Sequence, residues 1–371
     1  MPEVLSRRRL NRALLARQAL LARERTDVVA MTERLVGLQA QEPAPPFVGL
    51  WSRIDGFRRE DLLDALSDGR VVRATAMRGT IHLLSADDYV AERMALQPLL
   101  RTALRLPHLR VVAEEADLDA VLALAFRLLD EEPRPIAALR APLHDAFPQL
   151  DGEALAHVAR MLLPLVQVAQ PGHPDGFPGN AAFAPAGRVL TDEDGAPRRL
   201  APEGPPTALV RRYLGAFGPA TAADATKWSG LPGMREVLAA IPDLVTFEDE
   251  QGRTLFDLPN APRPPEDVPA PVRFLPRFDN ALLSHVDHSR ILDPVHREHV
   301  FTVNGQIHGT VLHDGFGVAT WDRGKDGALV VRPFARVAQR TAASIRAEGR
   351  RLLGFLGPKG ATRVVEVLAP S

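Results

Sequence analysis

Residues Val71–Ala76 form a run of strand-forming side chains that turns at Met77-Arg78-Gly79 and returns as Thr80–Leu84, with segments of helical spacing ahead of it. Helices followed by a hairpin is the order of a winged helix-turn-helix unit, and it restricts the available folds more than any other feature of the chain. Ser85 is placed to cap a helix leaving the hairpin. Upstream, Leu10, Leu14 and Leu21 share one helical stripe among Arg7, Arg8, Arg17 and Arg23. Thr26 or Asp27 caps a second helix carrying Val28, Met31, Leu35 and Leu38, which Pro43 ends by pushing Glu42 out of the α region. Gln39-Ala40-Gln41 therefore falls at a helix exit.

The same order returns with different residues. A helix holding Leu209, Tyr213 and Leu214 is broken by Pro219-Ala220-Thr221, and Thr221 with Asp224 forms a capping box for the next helix. After Trp228-Ser229-Gly230-Leu231 and a helix from Met234 to Ala240, LVTFED and RTLFDL flank the turn Glu250-Gln251-Gly252. Between the two units, Leu118, Val121, Leu122, Ala125 and Leu128 mark one helix and Leu155, Val158, Met161 and Leu162 another, read as a degenerate middle copy. Stretches rich in Pro and Gly, 171–206 and 259–271, read as linkers or surface loops. Beyond them, short runs such as QIHGTVLHDG, FGVATWD and ALVVRPF predict a small β-barrel, followed by a helix over Ala335–Leu356 and a last strand within RVVEVL. The predicted fold is α+β: tandem winged helix-turn-helix units followed by a small C-terminal β-barrel. Its divisions are 1–115, a first unit carrying Gln39-Ala40-Gln41; 116–205, a second; 206–262, a third; and 263–371, the barrel with its helix.

Composition removes several classes of function. Arg or Asp interrupts every Leu/Val-rich stretch, so no run approaches the roughly 18 apolar residues of a membrane span. Charges recur through the first 25 residues, where a secretory leader would carry an apolar core, and a cytoplasmic location is expected. With no Cys, thiolate nucleophiles, zinc ribbons and iron–sulfur clusters are excluded. A net charge of −1 requires any DNA contact to rest on a local basic face. Arg78 at the first hairpin tip, with His82 beside it, and Arg323 and Lys325 at a later tip are the candidate DNA-binding residues.

Six of the 11 His residues lie in the last third, including His285-Val286-Asp287-His288 and His296-Arg297-Glu298-His299. A zinc hydrolase is the competing enzyme class, although His-x-x-His in a strand-and-loop region places the rings on opposite faces unless the backbone turns. No metal and no cofactor are expected. Asp287 is a further catalytic candidate, lending charge to a transition state, or else a structural cap. Gln39 and Gln41 project to one side if Ala40 is extended and diverge if the helix continues. Two carboxamides on one side supply the donors and acceptors to orient a single water.

LVGLQAQ, VVRATAMRGTIHLLS, Trp228-Ser229-Gly230-Leu231 and FDNALLSHVDHSRIL together resemble, over nearly the full length, the winged-helix DNA glycosylases of the AlkZ and YcaQ group. The resemblance implies three winged helices closed by a β-barrel, and release of N7-alkylated guanine, including interstrand crosslinks, from double-stranded DNA. It also implies that Gln39-Ala40-Gln41 is the two-Gln form of the family's catalytic motif, found in members that protect antibiotic producers from their own DNA-alkylating products. Gln41 would orient the water and Gln39 would support it or contact the sugar, in an open cleft with little base flipping. The alternative is a winged-helix transcription regulator. No heptad seam for a dimer is present, and three wings on one duplex favour a monomer.

Overall fold

The computed structural model describes residues 2–357 and 364–370. Helix Arg7–Arg17 starts where the Ser6 side chain accepts the Arg9 N–H, and helix Val28–Arg34 where Asp27 accepts the Ala30 N–H. The second helix stops short of the predicted Leu38. Val36 and Gly37 both take left-handed backbone, with φ of 52° and 84°, and reverse the chain. Leu38–Gln39 then continues as a strand, pairing antiparallel with Ile81–Ser85 so that Gln39 faces His82. A single buried Leu satisfies a helical and an extended period equally, which is why spacing alone carried the helix too far.

The hairpin predicted at Met77-Arg78-Gly79 joins strands Val71–Thr75 and Ile81–Ser85. Both strands are buried throughout, as expected of near-continuous apolar runs covered on both faces. They occupy the middle of a five-stranded sheet in the order 38–39, 81–85, 71–75, 165–167, 183–185. Strand Phe183–Pro185 lies inside the stretch read as a linker, and Phe177 and Ala181 of the same stretch are buried. Helices Leu118–Glu131 and Gly152–Leu162, capped by Asp117 and Asp151, build a separate apolar cluster behind this sheet.

Farther along, helices Thr207–Phe217, Ala222–Ser229 and Met234–Ala239 precede the antiparallel pair Val245–Asp249 and Thr254–Asp257. The Thr221–Asp224 capping box forms reciprocally. Trp228, Tyr213 and Phe217 pack with ring centroids 4.9–5.9 Å apart. Val4–Leu5, at the other end of the chain, adds a parallel strand to Val245–Asp249.

The predicted β-barrel is corrected to an open five-stranded sheet, ordered 365–367, 329–333, 316–323, 309–313, 273–275. Helix Gln339–Leu356 explains why it need not close: Ile345, Leu352 and Leu353 cover Val311, Ala319, Leu329 and Val331. The helix supplies the second apolar layer that a barrel obtains by curling on itself. The last strand is Val365–Val367, while Arg363 of the predicted segment lies outside the described residues. The architecture is mixed α+β, and among the described residues no helix is long and apolar enough to cross a membrane.

Candidate active site

Ala40 is completely buried, and its N–H donates to the Ile81 carbonyl at 2.8 Å. The strand alternation then sends Gln39 and Gln41 toward the 78–82 hairpin. Gln39 Oε1 accepts from Arg78 Nη2 at 2.8 Å, and Gln41 Oε1 accepts from the Ile81 N–H at 3.2 Å. Gln41 thereby takes the place of a main-chain acceptor in the ladder. A guanidinium and a main-chain N–H can only donate, so both carboxamides are oriented with oxygen inward, each keeping a second lone pair and an NH2 group.

Arg78 is the hub of this arrangement. Sequence alone placed it as an exposed cation at a wing tip; instead its side chain turns inward from a left-handed residue with φ of 56°. Besides Gln39 it donates to the Trp228 carbonyl at 2.6 Å, and it reaches His82 Nε2 at 3.2 Å. His82 is likewise buried rather than presented to a groove. Burial first, and the Arg78 cation second, lower its imidazole to about 3. The neutral ring donates from Nδ1 to the Thr80 carbonyl, 3.1 Å away, so Nε2 is the acceptor for Arg78. Burial also pulls the Arg78 guanidinium down to about 10.

Residues not singled out from sequence hold the motif from behind. Arg73 donates to the carbonyls of Ala40 and Gln41 at 2.9 and 3.1 Å, bonds the Gln167 carboxamide, and lies over the Phe177 ring. An Arg inside the apolar run VVRATA was the available signal. Arg53 and Asp279 form a buried two-pronged ion pair at 2.9 Å, and Asn280 Nδ2 donates to the Gly37 carbonyl at 3.0 Å, bracing the reversal ahead of Gln39. Arg53, Asp279, Asn280 and Gln39 line a cavity of about 20 Å³, room for one water. No local sequence signal links Arg53 with Asp279, 226 residues apart.

Asp287 lines a different cleft, with Arg7, Arg253 and Arg290, and is not brought together with the glutamines. Its Oδ1 accepts the Ser289 N–H at 2.9 Å and its Oδ2 the Arg253 guanidinium at 2.8 Å. Burial would raise this carboxyl, but those two donors outweigh it and hold it at about 2. The His pairs pack locally: His285 contacts the Phe217 carbonyl, His288 packs tilted against Phe301, and His296 and His299 lie on Phe334. Among the described residues, no three His, Asp or Glu side chains gather as a metal ligand set. Arg323 and Lys325 are exposed at the tip between strands Phe316–Arg323 and Leu329–Pro333.

The family model described as DNA glycosylase AlkZ-like matches residues 32–355. A relative from Streptomyces sahachiroi, an interstrand DNA cross-link repair glycosylase, is 27% identical over 335 residues, spanning 86% of this chain and 88% of the relative. The solved structure of Streptomyces sahachiroi DNA glycosylase AlkZ is similar with a TM-score of 0.78 at 21% identity, covering 98% of this chain and 100% of that one. At that identity, the structural likeness speaks to the fold.

Proposed function

This chain belongs to the AlkZ-like family of DNA glycosylases, and on that premise we propose that it hydrolyses the N-glycosidic bond of N7-alkylated guanine in double-stranded DNA. Bulky adducts and interstrand crosslinks are included in the proposed substrates, and protection of a producer of DNA-alkylating compounds in the proposed role. Family membership does not favour the transcription-regulator alternative. The observation that carries the reading is the pair of carboxamides, Gln39 and Gln41, with their oxygens tied to one hairpin on the same side of a buried Ala40.

N7 alkylation leaves the base positively charged, so the C1′–N9 bond breaks with its electron pair passing to the base, which departs neutral. No general acid is needed, unlike hydrolysis of an ordinary glycoside by two carboxyl groups. What the protein supplies is position. Gln41 accepts a hydrogen bond from the attacking water through its second lone pair, Gln39 supports the water or contacts the sugar, and one proton of the water leaves to solvent as its oxygen bonds C1′. Proximity of this kind is worth up to about 7–11 kcal/mol in well-aligned systems. Arg78 and Arg73 act as positioning residues for the two glutamines. Asp287, committed to Arg253 and Ser289, is assigned a structural role.

The proposed enzyme retains a row of three winged-helix units over 1–115, 116–205 and 206–262 with the sheet domain of 263–371, acting as a monomer in the cytoplasm. Arg323 and Lys325 are assigned to backbone phosphates. The test is base release from duplexes carrying N7-methylguanine or a bulky N7-guanine adduct, by the parent and by a Gln39→Ala, Gln41→Ala double variant, with and without a chelator. Release that the chelator leaves intact and the double variant lacks supports the reading. Binding without release by the parent would sink it.

A further inference from the structure

Helix Gln339–Leu356 begins at Ala338, whose side chain offers no acceptor, so its first N–H groups are uncapped, and its first turn holds no acidic residue. From this end a groove of about 820 Å³ runs along the helix to Arg351, with Arg273, Arg340, Thr341, Ser344 and the Glu348 carboxylate in its walls, none of them part of the glutamine site. A helix terminus attracts anions only modestly. The second feature is Arg273, which is 6% exposed in strand Arg273–Leu275. Among the described residues its Nε has no hydrogen-bond partner, and the nearest acceptor of the guanidinium is the Val272 carbonyl at 3.4 Å.

Its carboxylate neighbour, Glu348, is 4.0 Å away and already held by Arg23 at 2.6 Å, with Arg351 at 3.5 Å. Three guanidiniums thus share one carboxylate, leaving an excess of positive charge in a partly desolvated place. Burial first and the Arg23 cation second pull Arg273 down to about 10. An unmatched buried cation is costly, and an anion in the groove removes that cost.

We propose that this groove is a phosphate-binding site, in which Arg273 donates to the phosphate oxygens, with Arg340, Arg351 and the Thr341 and Ser344 hydroxyls on the wall. The same chemistry fits a phosphodiester of the DNA backbone and a free phosphorylated small molecule; the first case rests on the glycosylase reading, the second does not.

The full chain is titrated with inorganic phosphate at constant ionic strength while its thermal midpoint is followed, in the parent and in Arg340→Gln and Arg273→Gln. A saturable rise in midpoint is expected for the parent and is lost in the variants; Arg340, exposed, keeps the test sound if Arg273→Gln fails to fold. Affinity for a short undamaged duplex is then measured against salt. A groove that holds a DNA phosphate lowers the magnitude of the log–log slope in Arg340→Gln by about 0.9, because one phosphate fewer is neutralised on binding. An unchanged slope with an intact phosphate response assigns the site to a free ligand. Absence of both a phosphate response and a slope change overturns the proposal, and base release from an alkylated duplex, followed on the same samples, reports separately on the glycosylase reading.

Discussion

At the residue scale, the site is a lesson in how few atoms orient a neutral side chain. Gln39 keeps its carboxamide pointed because Arg78 can only donate, and Arg78 stays in place because Trp228 and a neutral His82 receive it. Arg78→Ala is therefore expected to lower the rate of base release by roughly 100-fold through misplacement of Gln39, with the duplex dissociation constant much less affected; single-turnover kinetics separate the two, and an unchanged rate would remove Arg78 from the site. The pH dependence of stability has a definite sign. His82 has a folded pKa of about 3, below the unfolded value, so the unfolded chain alone binds its proton as pH drops below about 6.5. Stability then falls by up to about 1.4 kcal/mol per pH unit from this group until the folded ring protonates as well. Denaturant melts from about pH 7 to about pH 4 should show a shallower fall for His82→Gln than for the parent; equal slopes would mean that His82 is not held neutral. His285 and His288, also lowered by burial, add to the parent's slope in the same direction. Asp287 acts in a lower window, since its lowered carboxyl stabilises the fold above the usual carboxylate range and that contribution fades as pH falls toward 2.

At the scale of elements, the decisive feature is the reversal at Val36-Gly37. Helical spacing ran through Leu38, and Pro43 offered a later stop, yet Gly37 marked the true end. A Cβ at this position would stand 2.7 Å from the Leu83 carbonyl oxygen and from a Leu84 methyl, on a backbone with φ of 84°. Gly37→Ala is expected to cost about 1–3 kcal/mol and to shift the strand that carries Gln39, so activity and thermal midpoint should fall together. A variant with parental stability would show that the reversal is not under this constraint. The hairpins at 71–85 and 245–257 and the Thr221–Asp224 box were legible because each is specified by neighbours in sequence. Strand Phe183–Pro185 was not, since its pairing partner Leu165–Gln167 lies across a stretch of Pro and Gly that by composition reads as a loop.

At the scale of the whole molecule, ion pairs between distant segments knit the parts together. Arg17, at the end of the first helix, makes a two-pronged bond to Asp257 of the later hairpin at 2.7 and 2.8 Å, both side chains fully buried. Arg17→Met leaves that carboxylate with the nearby Arg263 but takes away its buried partner, and a loss of about 3–5 kcal/mol is expected. Denaturant unfolding followed by Trp fluorescence is the check; a loss under about 1 kcal/mol would mean that the pair is not a structural tie. By itself the sequence determined the mixed α+β class and the helix-then-hairpin order, because these depend on period, turn chemistry and spacing within a short stretch; Gln39-Ala40-Gln41 stood out only through the resemblance to a family. Tertiary structure alone decided that the last sheet stays open under a helix, that Arg78 and His82 face inward, that Asp287 belongs to another cleft, and that Arg53 meets Asp279. The physical reason is the same for each: burial and pairing with a residue scores or hundreds of positions away outweigh what an Arg, His or Asp prefers on its own, and only the folded chain brings those partners within bonding distance.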